Sequence, residues 1–192
     1  MKNVLITGAS KRLGLELANL YRKSDNVLGL NSSDIDFSTD YTNESLSLDT
    51  THWDIVIINA RTKQHKWSEM MNVNCINQVR FLETIMDRIK EKLIFITSEA
   101  GSHYKTQHFP DDPLDFDKLD YKMSKAALNM AMTWFAKKLP IQVLAIHPGT
   151  FGYEGSPPAS ERAAEVKATI DKTYRKDFTG SFIRYDGKPL QW

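Results

Sequence analysis

The 192-residue sequence contains a single cysteine, Cys75, which excludes an internal disulfide and any cysteine-built metal cluster. A lone cysteine fits a reducing compartment, and cytoplasmic residence is the expectation. The histidines, His52, His65, His103, His108 and His147, have neither the i, i+4 nor the short-loop spacing of zinc ligands, so no metal site is expected. An excess of charge is missing too: 25 Lys plus Arg against 24 Asp plus Glu leave a formal +1, too little to recruit nucleic acid or an anionic membrane. No apolar run approaches the roughly 20 residues of a membrane span, and residues 1–8 carry one lysine and a short apolar run in place of a secretory h-region. With 9 Gly, 7 Pro and 41% hydrophobic residues, disorder and collagen-like repeats are excluded as well. A single domain over residues 1–192, binding a small partner locally, is the expectation that remains.

What the sequence does contain is an alternation of short apolar runs with helical patterns, which is the mark of an α/β fold. Strands are expected at residues 3–6, 26–30, 54–59, 92–97, 141–147 and 181–185. Leu13, Leu15, Leu17, Ala18, Leu20 and Tyr21 mark a helix packed on the first strand. Val73, Ile76, Val79, Leu82, Ile85, Met86 and Ile89 mark a second helix, and residues 122–138 and 161–176 two more. The whole reads as a Rossmann-like, doubly wound parallel sheet of six to seven strands with helices on both faces. Its third βα unit is abbreviated: a parallel crossover needs about a dozen residues, yet only Asn31, Ser32 and Ser33 separate the second strand from Asp34-Ile35-Asp36-Phe37. Residues 38–52 read as a loop or one short helix, with a turn over 44–48.

Three stretches carry chemistry. Thr7-Gly8-Ala9-Ser10-Lys11-Arg12-Leu13-Gly14 joins the first strand to its helix. There, glycines let backbone approach a pyrophosphate, and the helix N-terminus offers free N–H groups and the positive end of its dipole. A tight turn that uses glycine for its dihedrals alone is the alternative. Tyr121-Lys122-Met123-Ser124-Lys125 places a phenol and an ammonium on one helix face, where the cation can lower the phenol from its usual value of about 10 and make it a general acid. Ser98, in Thr97-Ser98-Glu99, follows a strand at the carboxyl edge of the sheet, where ligands of open α/β sheets bind. Cys75 reads as helix packing.

In this order the stretches resemble the short-chain dehydrogenase/reductase family over residues 2–149. The family's Thr-Gly-x-x-x-Gly-x-Gly appears as Thr7, Gly8, Arg12 and Gly14, with arginine at the middle glycine, and its Asn-Asn-Ala-Gly as Ile58-Asn59-Ala60-Arg61. Asn74 matches the helix asparagine, Ser98 the serine, Tyr121 and Lys125 the Tyr-x-x-x-Lys pair, and Pro148-Gly149 the Pro-Gly after the sixth strand. The resemblance implies a hydride-transferring oxidoreductase that reduces a small carbonyl compound or oxidises the alcohol. Tyr121 would give the proton, Ser98 polarise the carbonyl, Lys125 hold the nicotinamide ribose, and Asn74 seat a relay water.

It also implies a cofactor site made of Thr7, Gly8, Ser10, Lys11, Arg12, Leu13 and Gly14; of Asn31, Ser32, Asp36 and Phe37; of Asn59, Ala60 and Arg61; of Tyr121 and Lys125; and of Pro148, Gly149 and Thr150. NADPH is favoured over NADH, because Leu30-Asn31-Ser32-Ser33 offers no acid at the end of the second strand while Lys11 and Arg12 can reach a 2′-phosphate. Asp34 is the residue most able to reverse that preference. Asp36 resembles the family's aspartate at the adenine amino group, with a loop-capping role as its alternative. Arg61, near Lys63 and Lys66, departs from the family's glycine, and Tyr153 stands where a threonine is usual.

The tail, Gly180 through Trp192, resembles the small branch that includes C-factor-like and sniffer-type carbonyl reductases, with residues 150–178 covering the substrate and 150–158 as a lid. Pteridine reductases share the Lys-Arg-Leu-Gly loop, and nucleotide-sugar reductases the compressed third unit. A dinucleotide-sensing regulator without turnover is the alternative outside catalysis. Relatives pair through the helices after Asn72 and Tyr121, so a homodimer or homotetramer is expected.

Overall fold

The computed structural model describes residues 1–39, 52–62, 66–109, 119–172 and 176–192. Within these, six parallel strands form one sheet: β1 (Asn3–Thr7), β2 (Asn26–Leu30), β3 (Trp53–Ile58), β4 (Ile89–Ile96), β5 (Gln142–His147) and β6 (Ser181–Arg184). Their order is β2-β1-β3-β4-β5-β6. The chain builds outward from β1 in one direction and then in the other, so the loops after β1 and β3 part and leave a crevice at their carboxyl ends. The register Val4↔Ile55, Leu5↔Val56, Ile6↔Ile57 brings Thr7 level with the end of β3.

Both faces of the sheet are covered, which is why the strands are apolar throughout instead of alternating with polar residues. Leu5, Val56, Ile58, Leu93, Phe95, Val143 and Ala145 share one core with α3 (Asn77–Ile85) and α5 (Leu119–Lys138). Their chain neighbours Val4, Ile6, Ile55, Ile57, Ile94, Leu144 and Ile146 point the other way, into a second core under α1 (Arg12–Tyr21) and α6 (Ala159–Asp171). Each fully buried Leu or Ile contributes about 1.5–3 kcal/mol, so the two cores hold the six strand ends in fixed relation.

Several boundaries differ from the expected ones. The single helix expected over residues 73–89 is instead a π-helical turn (Asn72–Ile76), α3 and a 3-10 turn (Met86–Arg88), and the helical run starts earlier, with α2 (Trp67–Met71). The π turn inserts one residue, which apolar spacing does not reveal. Ile89 opens β4 opposite Trp53, three residues before the expected Lys92, since an apolar residue four after Ile85 satisfies a helix or a strand start equally. α6 ends at Asp171, short of 176, and α4 (His103–His108) was not foreseen.

β2 is an edge strand, and no strand or helix occurs between β2 and β3 among the described residues. Directly after β2, Asp34 and Ile35 donate their N–H groups to the Asn31 carbonyl at 3.0 and 2.9 Å, closing a turn. Ile35 and Phe37 then return to the core, with the Phe37 ring 6.1 Å from Phe81. The expected turn at 44–48 lies outside the described residues, as does most of the 38–52 loop. No helix among the described residues is long and apolar enough to cross a membrane.

Candidate active site

A cavity of about 840 Å³ opens at the carboxyl ends of the strands. The loop after β1 forms one wall. A Cβ at Gly14 would stand 2.2 Å from the Gly8 carbonyl oxygen, so only glycine lets α1 begin this close beneath the loop. Lys11 is the N-cap of α1 and makes no side-chain capping bond, and no acid occupies the first turn. The helix therefore presents its first N–H groups and its positive dipole end without a protein carboxylate to neutralise them. Gly8, Ser10, Lys11, Arg12, Leu13 and Gly14 all line the cavity.

Thr7 lies beneath it, fully buried. Its Oγ1 accepts from the N–H groups of Asn59 (2.9 Å) and Ala60 (3.1 Å), while Asn59 Nδ2 donates to the carbonyls of Thr7 (3.0 Å) and Gly8 (3.1 Å). These bonds clamp the loop after β1 to the end of β3. Gln78, which sequence reasoning passed over, extends the clamp by donating to the Ala60 and Val73 carbonyls at 3.0 and 2.7 Å.

Asn31, Ser32, Asp36 and Phe37, from the stretch after β2, and Asn59, Ala60 and Arg61, after β3, line the same space. Asp36 also caps its own turn, its Oδ1 accepting from the Ser38 hydroxyl (2.6 Å) and N–H (2.8 Å), and these bonds hold its carboxyl below the usual range. Asp34 turns away to accept the Asn31 N–H at 2.8 Å and does not line the cavity.

The remaining wall comes from β4, α5 and the segment after β5. Ser98 follows β4 after one intervening residue, Thr97, and accepts from the Ala100 N–H at 3.2 Å. A Cβ at Gly101 would meet the Lys125 backbone at 2.6 Å, so glycine there lets the turn carrying Ser98 press against α5 where Tyr121 and Lys125 sit. Ser98, Tyr121, Lys125, Pro148, Gly149 and Thr150 all line the cavity. Lys125 is 1% exposed, and its Nζ lies 5.9 Å from the Tyr121 ring centroid. Burial first, then the Arg61 charge, pushes the ammonium down from 10.5 to about 7.

Asn74 does not line the cavity. Fully buried in the π turn, it accepts the Thr62 N–H on Oδ1 at 2.8 Å and donates from Nδ2 to Ser124 Oγ at 3.1 Å, bracing α5 one layer behind the wall. Cys75 is buried and its thiol is pushed up to about 11, which removes it as a nucleophile near neutral pH.

A charged cluster beside Ser98 was not foreseen. Lys105 Nζ pairs with Glu99 Oε2 at 2.6 Å, and His147 Nδ1 faces the Glu99 N–H at 3.4 Å. Burial pushes His147 down to about 4, so its ring is neutral near pH 7. The only hint in the sequence was adjacency, Glu99 next to Ser98 and His147 next to Pro148.

No protein-family model matches this sequence, and no curated protein does. Solved structures do. A carbonyl reductase from Pseudomonas aeruginosa PAO1 superposes with a TM-score of 0.77 at 21% identity, both chains covered in full. The carbonyl reductase Sniffer of D. melanogaster gives 0.72 at 19%, again over both whole chains. An NADPH-bound carbonyl reductase from chicken fatty liver gives 0.72 at 19%, over all of this chain and 94% of that one. The chain has the short-chain dehydrogenase/reductase fold.

Three residues depart from the motifs that the sequence resembles. Arg12 takes φ 51°, the only positive φ outside glycine among the described residues, which costs roughly 1–3 kcal/mol for an L-residue. Arg61 occupies the cavity rim, near enough to Lys125 to act on its charge. Tyr153, at the position where the resemblance implies threonine, lines the cavity beside Phe151. Lys63 lies outside the described residues.

Proposed function

We propose that the protein is an NADPH-dependent oxidoreductase of the short-chain dehydrogenase/reductase family that reduces a small carbonyl compound. The observation that carries this reading is the gathering of Ser98, Tyr121 and buried Lys125 with the uncapped start of α1 around one cavity. That donor set fits a dinucleotide: the α1 N–H groups suit its diphosphate, and Asn31 and Ser32, with Asp34 turned away, leave room for a 2′-phosphate that Lys11 would meet. Asn59, Ala60 and Thr150 would flank its nicotinamide half, with Asp36 and Phe37 at its adenine half. When bound, the reduced nicotinamide supplies the hydride.

The chain's own groups handle the proton. Ser98, whose lone pair already takes the Ala100 N–H, donates its hydroxyl proton toward the substrate oxygen and polarises the carbonyl. Tyr121 gives the proton to that oxygen as it becomes an alcohol, and the Lys125 ammonium on the same helix face favours the phenolate left behind. Asn74, behind the wall, holds the start of α5 through Ser124 and takes no part in the proton's path. Of the expected cover over 150–178, Thr150, Phe151 and Tyr153 line the cavity and would close over the substrate, whereas α6 packs into the core.

Assembly follows from α5, along which Met123, Met130 and Trp134 form an exposed apolar line, Met130 being 70% exposed. We place a homodimer contact there and expect a dimer by sedimentation at micromolar concentration. The lone buried thiol accords with a cytoplasmic setting.

The deciding experiment titrates NADPH and NADH and then follows NADPH oxidation against aldehydes, ketones, quinones and pterins. Turnover of at least one class, with NADPH bound more tightly than NADH, is the expected result. Tight binding with no turnover across the panel would favour a dinucleotide sensor.

A further inference from the structure

The loop after β1 and the segment after β5 are opposite walls of one cavity, and a single side chain ties them together. From its backbone at φ 51°, Arg12 crosses to donate from Nη2 to the Phe151 carbonyl at 3.5 Å. Its guanidinium carbon lies 5.8 Å from the Phe151 ring centroid and 5.2 Å from that of Tyr153, both within cation–π range. A Cβ at Gly152 would stand 3.3 Å from Nη2, so the cation also rests on the backbone between the two rings. The segment it touches is a loop closed by its own hydrogen bonds. Gly152 donates its N–H to the Pro157 carbonyl at 2.8 Å, and Tyr153 donates its own to Ser156 Oγ at 2.9 Å.

A guanidinium has five N–H donors, and the described residues take one, over a long bond. The others face a cavity whose floor is the uncapped start of α1. Glycine would satisfy the backbone at position 12 without strain but would not reach across.

We propose that Arg12 is a positioning residue that couples the dinucleotide site to the substrate-covering segment. The dinucleotide diphosphate takes the unspent guanidinium donors, and the guanidinium so fixed holds residues 151–156 over the substrate. This rests on the dinucleotide reading above. It makes binding ordered, cofactor first, and because coupling is reciprocal, substrate tightens the cofactor by the same factor.

The test compares wild type, Arg12→Gly and Arg12→Lys by NADP titration, by chymotryptic cleavage after Phe151 or Tyr153 with and without NADP, and by steady-state kinetics at saturating NADPH. In the wild type, NADP slows cleavage about tenfold. In Arg12→Gly the cleavage rate no longer depends on NADP, and the carbonyl KM rises about tenfold while kcat stays within about threefold. Arg12→Lys keeps NADP affinity within about threefold but loses the protection, because lysine keeps the charge without the planar face. Arg12→Gly with wild-type protection and KM overturns the coupling, and so does a wild type that binds NADP yet is cleaved equally with and without it. A wild type that binds no dinucleotide overturns the functional reading, and this proposal with it.

Discussion

At the Tyr121 end of the cavity the reactive side chains leave regular elements, Ser98 from the end of β4 and Tyr121 and Lys125 from α5, whereas at the dinucleotide end they hang on the three loops after β1, β2 and β3. The first end is held by packing: Leu128, Met132 and Phe135 fix α5 on the sheet, and Gly101 lets the Ser98 turn seat against it. The second end is held by the hydrogen bonds of Thr7, Asn59 and Gln78. Residue types follow the difference. The packed end keeps the serine and the Tyr-x-x-x-Lys pair of the motif that the sequence resembles, while the loop end carries Arg12, Arg61 and, among the described residues, no strand or helix between β2 and β3. Loops absorb such changes because their backbone is free to readjust, where a change of angle in α5 would move both the phenol and the ammonium.

Breaking the packed end has the largest expected effect. Tyr121→Phe keeps the ring in its place and removes only the hydroxyl, so turnover falls about a thousandfold while the NADPH dissociation constant stays within about twofold. Steady-state kinetics with a cofactor titration measure both, and a Phe variant with wild-type kcat would assign the proton elsewhere.

Lys125→Met breaks the same end with a second signature. Turnover is lost to a similar degree, yet the cofactor-free protein becomes more stable. A buried ammonium is expensive, and Met fills nearly the same volume without a charge. Between about 7 and 10.5 the unfolded chain holds a proton that the folded chain has shed, so the stability contributed by Lys125 rises with pH across that window. Below about 7 the folded chain buries the full charge. The gain from Met is therefore larger at pH 6 than at pH 9, about 2–6 °C in Tm at pH 6 for a chain of this size. A thermal scan at the two pH values checks it, and a Tm that falls equally at both would mean Lys125 is a structural tether.

How far each end could be read from the sequence also differs. The Tyr121-to-Lys125 spacing puts both groups on one side of α5, where both line the cavity, because helical periodicity fixes a face without tertiary information. The six strands were legible because buried parallel strands are apolar runs bounded by turns. The π turn around Asn74 was not, since an inserted residue leaves the apolar count of a helix nearly unchanged, and so Asn74 was expected at the cavity and lies behind it. The Glu99, Lys105 and His147 cluster was hidden for another reason: His147 joins the nearby Glu99 and Lys105 from the end of β5, 48 residues on from Glu99, which no local pattern records. At the loop end the identity of Arg12 was plain, but neither its positive φ nor its reach to Phe151 is encoded in spacing.

The smallest effects belong to the edge beyond β2, where one pair of variants separates two readings of cofactor choice. Lys11 lines the cavity at the α1 N-cap with no ion pair among the described residues, so Lys11→Ala should weaken NADPH more than NADH and lower their affinity ratio about tenfold. Asp34 would counter that preference if its carboxylate faced the ribose. It instead accepts the Asn31 N–H at 2.8 Å, closing the turn that follows β2. Asp34→Asn keeps that acceptor and removes the charge, so the NADPH-to-NADH ratio should move by less than about twofold, with the turn intact. If the ratio rose tenfold, the carboxylate would be acting on the ribose end despite its bond to Asn31, and the choice of cofactor would lie with the abbreviated third unit and not with Lys11.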